Sequence, residues 1–281
     1  MTESNRAASS PLALSPSRAS DYRQCPLLYR LRAIDRIPEP KTEAQVKGTL
    51  VHAVLEDMFT WPREQRSYPA AVKYLRPAWA RMQEQQPDCA EPVTDEQQLL
   101  IDARALLKGY FHMESPLRFD PHASEMYVST TLPNGVPVRG FIDRVDVAPT
   151  GQVRVVDYKT GKMPKPRYAD GAFAQMRFYG LVYWRLFDTI PAQLKLMYLA
   201  VMDSLILAPS QQELEYFERD LGDLWAKIVR DGVDGTFRPH PSRLCDWCAY
   251  QSLCPVYGGT PPPYPGWPGS ADTANQQPRT T

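Results

Sequence analysis

The chain has 281 residues, of which 43% are hydrophobic, enough apolar material to bury the core of one large domain or two small ones. Its 32 Lys and Arg residues balance its 32 Asp and Glu residues, so the overall charge gives no indication of a nucleic-acid partner, which would need a local basic patch. The sequence has no apolar run of transmembrane length and no signal-peptide pattern, which argues against a membrane partner, and we expect a cytoplasmic protein.

Both ends of the chain have a composition that cannot bury a core. Residues 1–14 are rich in Ser and Ala, and residues 258–281 are rich in Pro, Gly and polar residues. We predict flexible tails at both ends and a folded region over residues 15–257.

The first part of the folded region has helical periodicity. Ser15 or Ser17 could cap a helix that carries "RASDYRQCPLLYRLRAI", and "KGTLVHAVLEDMF" places its apolar residues on one helical face. Residues 62–117 are also helical in pattern, but "PDCAEP" interrupts them. We predict a helical insertion there.

A β-rich stretch follows, with strands expected near residues 124–132, 137–147 and 152–159. "APTGQ" joins the last two and predicts a β-hairpin. Next come a helix over "GAFAQMRFYGLVYWRLF", a strand in "QLKLMYLAVM" and an amphipathic helix closed by Gly232. This order predicts an α/β fold with a mixed central sheet flanked by helices.

Charged residues interrupt an apolar face of each hairpin strand. Alternation places Asp143 on the face of Val145, and it places Asp157 and Lys159 on the face of Val155. A buried Asp–Lys salt bridge would explain one such pair. Two carboxylates on adjacent strands repel each other unless a cation lies between them, and oxygen ligands in this number suit Mg²⁺ or Mn²⁺. The pattern predicts a metal site for phosphodiester hydrolysis, in which the lysine orients water or stabilises negative charge.

The hairpin sequence "GFIDRVDV…VRVVDYKTGK" resembles the catalytic hairpin of the PD-(D/E)XK nuclease superfamily, in particular its RecB-like exonuclease branch. The resemblance makes Asp143 and Asp157 the metal-binding acids and Lys159 the catalytic lysine, and it implies a restriction-endonuclease-like core. Ile142 stands where the name of the superfamily has Pro, and the second acid is Asp rather than Glu. Both changes are common in the RecB-like branch.

Three further features match the same branch. "GTLVHAVLEDMF" resembles its N-terminal motif, which makes His52 a metal ligand, although a histidine beside an apolar stripe is more often structural. "QMRFYGLVYW" resembles its Gln-x-x-x-Tyr motif, so Gln175 and Tyr179 share a helical face and could contact a phosphate or hold Lys159. The alternative is an exposed Gln and a core Tyr. Glu125 lies on the strand where this branch often has an extra acid near the metal.

Three cysteines form a motif near the end of the folded region. Cys245, Cys248 and Cys254 have the spacing C-x₂-C-x₅-C, which indicates a metal centre that lacks one ligand. The fourth ligand could be Cys25, which directly precedes a proline, or Cys89 in the interrupting loop. Five cysteines in a reducing compartment favour metal binding over disulfides.

Iron-sulfur members of the RecB-like branch, including AddB-type and CRISPR-associated adaptation nucleases, have one cysteine before the His motif and a C-x₂-C-x₅-C cluster after the core. The resemblance therefore implies a [4Fe-4S] cluster held by Cys25 together with a module over residues 240–257, and it leaves Cys89 as a free thiol. A Cys₄ zinc site is the alternative, because the same ligands could satisfy it.

Basic and aromatic residues cluster around the hairpin and could bind nucleic acid. The residues concerned are Arg139, Arg144, Lys162, Lys165 and Arg167, interleaved with the aromatic residues Tyr158, Tyr168 and Phe173. A charge run is more often only a solvated surface. The sequence has no G-x-x-x-x-G-K-[ST] loop for ATP, so action on duplex DNA would need a helicase partner or a start at ends and single-stranded regions.

These features predict an Mg²⁺- or Mn²⁺-dependent DNA exonuclease that acts on single-stranded DNA or DNA ends in repair or recombination. The alternative from another class of protein is a catalytically weak iron-sulfur or zinc subunit that binds DNA within a larger complex. The set of Asp143, Asp157 and Lys159 favours the enzyme over the DNA-binding subunit.

Overall fold

The computed structural model describes residues 12–165, 167 and 169–268. The chain divides into two compact units. The first contains the residues up to Glu39, Ser129–Gly140 and the residues from Glu215 onward, and the second contains Pro40–Val128 and Phe141–Leu214. The single nuclease domain expected over residues 15–257 stays a prediction.

The helices and strands follow one another as the sequence pattern predicts, with one addition. The helices are α1 (Pro16–Gln24), α2 (Pro26–Tyr29, continued by a π-helical turn at Arg30–Ile34), α3 (Glu43–Thr60), α4 (Tyr68–Gln85), α5 (Glu96–Met113), α6 (Asp170–Phe187) and α7 (Gln211–Asp234). The strands are β1 (Ala123–Thr131), β2 (Pro137–Val147), β3 (Val153–Lys159), β4 (Gln193–Tyr198) and β5 (Asp203–Leu207).

The N-terminal helical segment is broken at a cysteine. Ser15 caps α1 by accepting a hydrogen bond from the backbone N–H of Arg18, and α1 ends at Gln24. Cys25 is extended, with φ −164° and ψ 115°, and a new helix starts at Pro26. Proline disfavours the helical conformation in the residue before it, so the predicted continuous helix splits here and its thiol lies at the break.

The five strands form one mixed sheet in the order β1-β2-β3-β4-β5. Strands β2 and β3 are antiparallel, with Arg144 opposite Val156, which confirms the predicted hairpin. Strand β4 is parallel to β3 and antiparallel to β5. The sequence pattern missed β5, because no Gly or Asn marks the turn before it; Met202 itself takes a positive φ of 55° there.

Helices cover both faces of the sheet in the second unit. Buried residues of α3, α4 and α5 form one hydrophobic cluster with Val156, Tyr158 and Met197 of the sheet. On the opposite face, α6 packs so closely on β4 that a Cβ at Gly180 would lie 2.9 Å from a methyl of Leu194. Residues 62–117, predicted as a helical insertion, do form the helices α4 and α5. These helices nevertheless belong to the main core of this unit.

Both predicted tails are ordered in part. Leu12 and Leu14 are buried, and the N–H of Leu14 donates a hydrogen bond of 2.8 Å to the carbonyl of Pro137. Apolar side chains at these positions explain why a segment of tail-like composition is buried. The remaining residues of the N-terminal tail, 1–11, lie outside the described part of the chain.

The C-terminal segment up to residue 268 packs against α7. The Tyr264 hydroxyl donates a hydrogen bond of 2.7 Å to the carbonyl of Gly232. The ring of Trp267 occupies the space that a Cβ at Gly232 would need. Gly232 is thus a packing position, and α7 continues to Asp234, where Gly235 with φ +67° ends it. The tail prediction is wrong for residues 258–268, and residues 269–281 lie outside the described part.

Within the described ranges, the helices are too short or too polar to cross a lipid bilayer.

Candidate active site

The two acids of the hairpin lie at neighbouring positions of β2 and β3, one residue beyond the Arg144–Val156 pair. The carboxylate of Asp143 accepts a hydrogen bond of 2.6 Å from the backbone N–H of Tyr158. The Asp143 side chain is 11% exposed and that of Asp157 is 9% exposed. In this register both acids lie on one face of the sheet, in agreement with the alternation along each strand.

His52 reaches these acids from α3. Its Nε2 lies 3.0 Å from the carbonyl oxygen of Tyr158, which can only accept, so Nε2 carries a hydrogen and donates it. The other ring nitrogen, Nδ1, lies 3.5 Å from Asp143 and 3.9 Å from Glu125. Burial lowers the pKa of His52, but the hydrogen bonds and charges of the two carboxylates outweigh burial and raise the pKa to about 10. Without a metal ion, His52 therefore favours its protonated form, with the second hydrogen on Nδ1.

Glu125 completes a group of donor atoms with His52 and Asp143. One atom from each of these three residues lies within 4.8 Å of the others, a spacing that could hold a metal ion. Glu125 has a positive φ of 47° on β1, a conformation that costs a non-glycine residue free energy and that clusters at functional sites. Two carboxylate oxygens and one imidazole nitrogen suit Mn²⁺ or Mg²⁺.

Asp157 is held by a lysine and a glutamine. Lys159 Nζ lies 2.7 Å from Asp157 Oδ2 and donates a hydrogen bond of 2.8 Å to Gln175 Oε1. Gln175 Nε2 donates one of 2.7 Å to Asp157 Oδ1. Burial and the charge of Asp143 raise the pKa of Asp157 to about 6, although Lys159 opposes this. The predicted contact of Gln175 with Lys159 is present.

The composition of the donor group differs from the sequence expectation. The sequence predicted His52, Asp143 and Asp157 as main ligands with Glu125 as an addition, whereas the close group contains Glu125 instead of Asp157. Asp157 Oδ2 faces Lys159 but makes no well-aligned hydrogen bond within the described part of the chain, so it keeps capacity to accept one. The donor chemistry of all four residues fits a hard divalent cation.

Tyr179 lies beside the site rather than on the lysine. It is buried, and burial together with the charges of Asp157 and Asp143 raises the pKa of its phenol. A hydrogen bond with the backbone of Phe141 opposes this rise. The hydroxyl therefore contacts strand β2, and the glutamine is the residue of the Gln-x-x-x-Tyr motif that contacts Lys159.

The predicted DNA contacts separate into buried and exposed groups. Arg144 is fully buried and pairs with Glu114 at 2.7 Å, so its assignment as a DNA contact is wrong. Tyr158 is also buried and cannot stack on a base. The exposed residues are Lys162, Lys165 and Arg167, which follow β3.

The remaining members of that set give no exposed platform. Arg139 and Phe173 are half-buried, and the guanidinium of Arg177 lies 5.9 Å from the centre of the Phe173 ring. Tyr168 lies outside the described residues.

Four cysteines line one cavity in the first unit. They are Cys25, Cys245, Cys248 and Cys254. Backbone N–H groups of His240 and Ser242 donate hydrogen bonds of 3.3 Å to the sulfurs of Cys25 and Cys245. Burial raises the pKa of the Cys248 thiol, and the other three cysteines of the cavity add to this rise. Cys89 is buried in the hydrophobic core of the second unit, apart from this set.

The comparison with protein families decides the classification. The model of the PD-(D/E)XK nuclease superfamily matches residues 13–255 of the chain. The chain belongs to the PD-(D/E)XK nuclease superfamily. This confirms the superfamily that the hairpin sequence resembled, and a nuclease is the class of enzyme that this membership supports.

Two known proteins are similar to this PD-(D/E)XK chain. The Gene 69 protein of Mycobacterium phage D29 is 26% identical over 183 residues, which cover 57% of this chain and 66% of the phage protein, a little under two thirds of its length. A crystal structure of a candidate exonuclease from Eubacterium rectale superposes with a TM-score of 0.58 at 12% identity, covering 89% of this chain and 92% of that one. The superposition supports the restriction-endonuclease-like fold with its mixed five-stranded sheet.

Proposed function

We propose that this PD-(D/E)XK protein is an Mg²⁺- or Mn²⁺-dependent deoxyribonuclease that acts as an exonuclease. The observation that carries the proposal is the convergence of His52, Glu125 and Asp143 within 4.8 Å, beside the Lys159–Asp157 pair. A divalent ion bound there supplies Lewis-acid activation of the phosphodiester and lowers the pKa of a bound water.

Side chains of the site would bind the metal ion and position the catalytic lysine. His52, Glu125 and Asp143 would hold the metal, with Asp157 as a further oxygen donor. Gln175 and Asp157 hold the ammonium group of Lys159 in one place, where it orients the attacking water or stabilises the negative charge that develops on the phosphoryl oxygens. The hydrogen bond of His52 Nε2 to a backbone carbonyl leaves Nδ1 for the metal.

The substrate that we propose is single-stranded DNA or a DNA end, in repair or recombination. The Eubacterium rectale protein of similar fold is described as a candidate exonuclease, and exposed Lys162, Lys165 and Arg167 could hold phosphates near the strand that carries Lys159. A helicase partner and a cytoplasmic location stay predictions from the sequence.

The test is a nuclease assay on end-labelled single-stranded DNA with Mn²⁺. We expect degradation by the wild-type protein, and we expect Asp143→Ala and Lys159→Ala to reduce the rate by at least about a hundredfold. Lys108→Ala, which removes an exposed lysine of α5, is the matched control and should retain activity. Wild-type protein that binds the DNA without cutting it would contradict the proposal and support a DNA-binding subunit instead.

We also propose that Cys25, Cys245, Cys248 and Cys254 hold a [4Fe-4S] cluster. The four cysteines line one cavity of the first unit, and four thiolates are the ligand set of such a cluster. One early cysteine followed by a C-x₂-C-x₅-C motif after the core also resembles the iron-sulfur members of the RecB-like branch, and this resemblance favours the cluster over zinc.

Anaerobic purification followed by a visible spectrum and metal analysis tests the cluster. Brown protein with iron and acid-labile sulfide is the expected result. A colourless protein with one zinc per chain would overturn it and would support the Cys₄ zinc site.

A further inference from the structure

Two exposed aromatic rings lie in contact on the sheet. The side chain of Tyr127 is 49% exposed and that of Phe141 is 55% exposed. Their ring centres are 5.1 Å apart with an angle of 50° between the ring planes. Single exposed apolar residues are common on protein surfaces, but two half-exposed rings in contact form a local apolar surface.

The aromatic pair lies next to the proposed metal ligands along both strands. Tyr127 follows Glu125 by two residues on β1, and Phe141 precedes Asp143 by two residues on β2. Along β2, two residues return to the same face about 6.7 Å further on, whereas the positive φ of Glu125 interrupts this alternation on β1. The ring contact places both aromatic side chains on one face, and on β2 this is the face that carries the Asp143 carboxylate.

The chemistry of the pair differs from that of the metal site beside it. The rings carry no charge, so they do not attract a phosphate group. A flat ring of another molecule can stack on them. An unpaired nucleobase exposes such a face at every position, whereas the bases inside a duplex cover theirs with their neighbours. Stacking of a base on an aromatic side chain tolerates any sequence, which suits an exonuclease.

We propose that Tyr127 and Phe141 form a stacking site for an unpaired nucleobase of the DNA strand whose phosphate occupies the metal site. The inference rests on the proposed nuclease function and deepens it, because it gives the site a physical reason to prefer single-stranded substrate. The metal ligands and lysines bind the backbone, and the aromatic pair binds the adjoining base.

The test compares two oligonucleotides that have the same phosphates and differ in their bases. One is oligothymidylate, and the other has the same length with abasic residues. Fluorescence anisotropy of the labelled strands gives their dissociation constants for the full chain without divalent metal, so no cleavage occurs. We expect the wild-type protein to bind oligothymidylate at least about fivefold more tightly, since stacking contributes at least about 1 kcal/mol per base.

Substitutions assign that preference to the aromatic pair. Phe141→Ala and Tyr127→Ala should bring the ratio of the two dissociation constants close to one, whereas Phe141→Trp should keep it. Tyr216→Ala is the matched control, because this tyrosine of α7 is 69% exposed. Exposed side chains can be removed without creating cavities, and circular dichroism confirms that each variant is folded.

Two results would overturn the inference. One is equal binding of both oligonucleotides by the wild-type protein, and the other is an unchanged ratio in the Phe141 and Tyr127 variants. Because binding is measured without metal, failure of the stacking site is distinguishable from failure of the nuclease proposal, which depends on cleavage. A wild-type protein that cuts DNA but shows no preference for bases would keep the nuclease proposal and reject the stacking site.

Discussion

The peptide group of Tyr158 orients two of the proposed metal ligands at once. Its N–H donates to Asp143 and its carbonyl accepts from His52, while its own side chain points into the core on the opposite face. Backbone groups of a central strand have little conformational freedom, so the ligands are positioned before a metal binds. The residue between Asp157 and Lys159 thus contributes to the site through its backbone.

The backbone strain at Glu125 leads to a first prediction at the residue scale. Glu125→Gly removes a carboxylate, but it also relieves a positive φ, because glycine adopts this conformation without steric cost. We expect weaker Mn²⁺ binding together with unchanged or increased stability of the metal-free protein, by up to about 1 kcal/mol. Isothermal titration calorimetry and urea unfolding measure the two effects.

Glu125→Gln is the matched control for that prediction, since it removes the charge and keeps the side chain that strains the backbone. It should weaken Mn²⁺ binding without the gain in stability that glycine gives. Loss of stability in the glycine variant with unchanged metal affinity would show that Glu125 has a structural role.

The bridging position of Gln175 gives a second residue-scale prediction. Gln175→Leu keeps the approximate size of the side chain but removes both the acceptor for Lys159 and the donor to Asp157. We expect kcat to fall by about a hundredfold with KM for DNA little changed, because a displaced lysine affects the chemical step more than binding. Gln152→Leu, at an exposed position in the β2–β3 turn, should have no effect. An equal loss in both variants would contradict the positioning role.

At the scale of elements, one buried carboxylate connects a helix with three strands. Glu114 ends α5, and its carboxylate lies 2.7 Å from Arg144 of β2, 3.7 Å from Arg154 of β3 and 3.1 Å from Lys195 of β4. Arg144 also donates a hydrogen bond of 2.8 Å to the Tyr158 hydroxyl. This network lies on the sheet face opposite Asp143 and connects α5 to the hairpin that carries the proposed metal ligands.

Glu114→Gln should destabilise the protein by about 1–3 kcal/mol near neutral pH, because it removes one charge partner of fully buried Arg144, which keeps Asp146 at 3.1 Å as another. Burial alone would raise the pKa of Glu114, but the charges of Arg144 and Lys195 outweigh it and lower the pKa below its usual 4.5. The stabilisation by the carboxylate is therefore complete above 4.5 and is lost as the pH falls through the lowered value. The measurement is the free energy of unfolding of both proteins as a function of pH.

Glu96→Gln is the control for that experiment, since its exposed carboxylate lies 3.8 Å from exposed Arg76 and contributes little. The difference between the wild type and Glu114→Gln should shrink in acid, and it should stay near zero for the control. A difference that did not depend on pH would contradict the ionic role.

Local sequence signals predicted most elements, and the misses have two separate causes. The hairpin follows from alternation and a Gly-containing turn, and the helix over residues 43–60 follows from the apolar face of its sequence. The Arg144 side chain was assigned to the surface because it is charged, and only partners distant in sequence, such as Glu114, account for its burial. Strand β5 was missed because its turn has no typical turn residue.

At the scale of the whole molecule, the proposed cluster joins the beginning of the folded chain to its end. Cys25 and the module with Cys245 line the same cavity, although 220 positions separate them in the sequence. A covalent connection of this kind restricts the unfolded chain most when the loop it closes is long. Loss of one ligand should therefore affect the ordering of this unit.

We predict that Cys25→Ala and Cys254→Ala lower the iron content to below about half and make residues 240–257 sensitive to trypsin, because the module has few buried apolar residues of its own. Cys89→Ala is the matched control and should retain iron, since that cysteine lies in a different core. Iron analysis and mass spectrometry of tryptic fragments measure these effects. Full iron content in Cys25→Ala would exclude this cysteine as a ligand.

The sequence by itself predicted the hairpin of the proposed site, because alternation along a strand is a local property that places Asp143 on one face of β2 and Asp157 with Lys159 on one face of β3. The spacing of Cys245, Cys248 and Cys254 also predicted a metal centre, which stays a proposal. Only the tertiary structure decided which groups meet: Glu125 joins the donor group, and Arg144 is buried. Burial and charge pairing depend on residues distant in sequence, so no local pattern contains them.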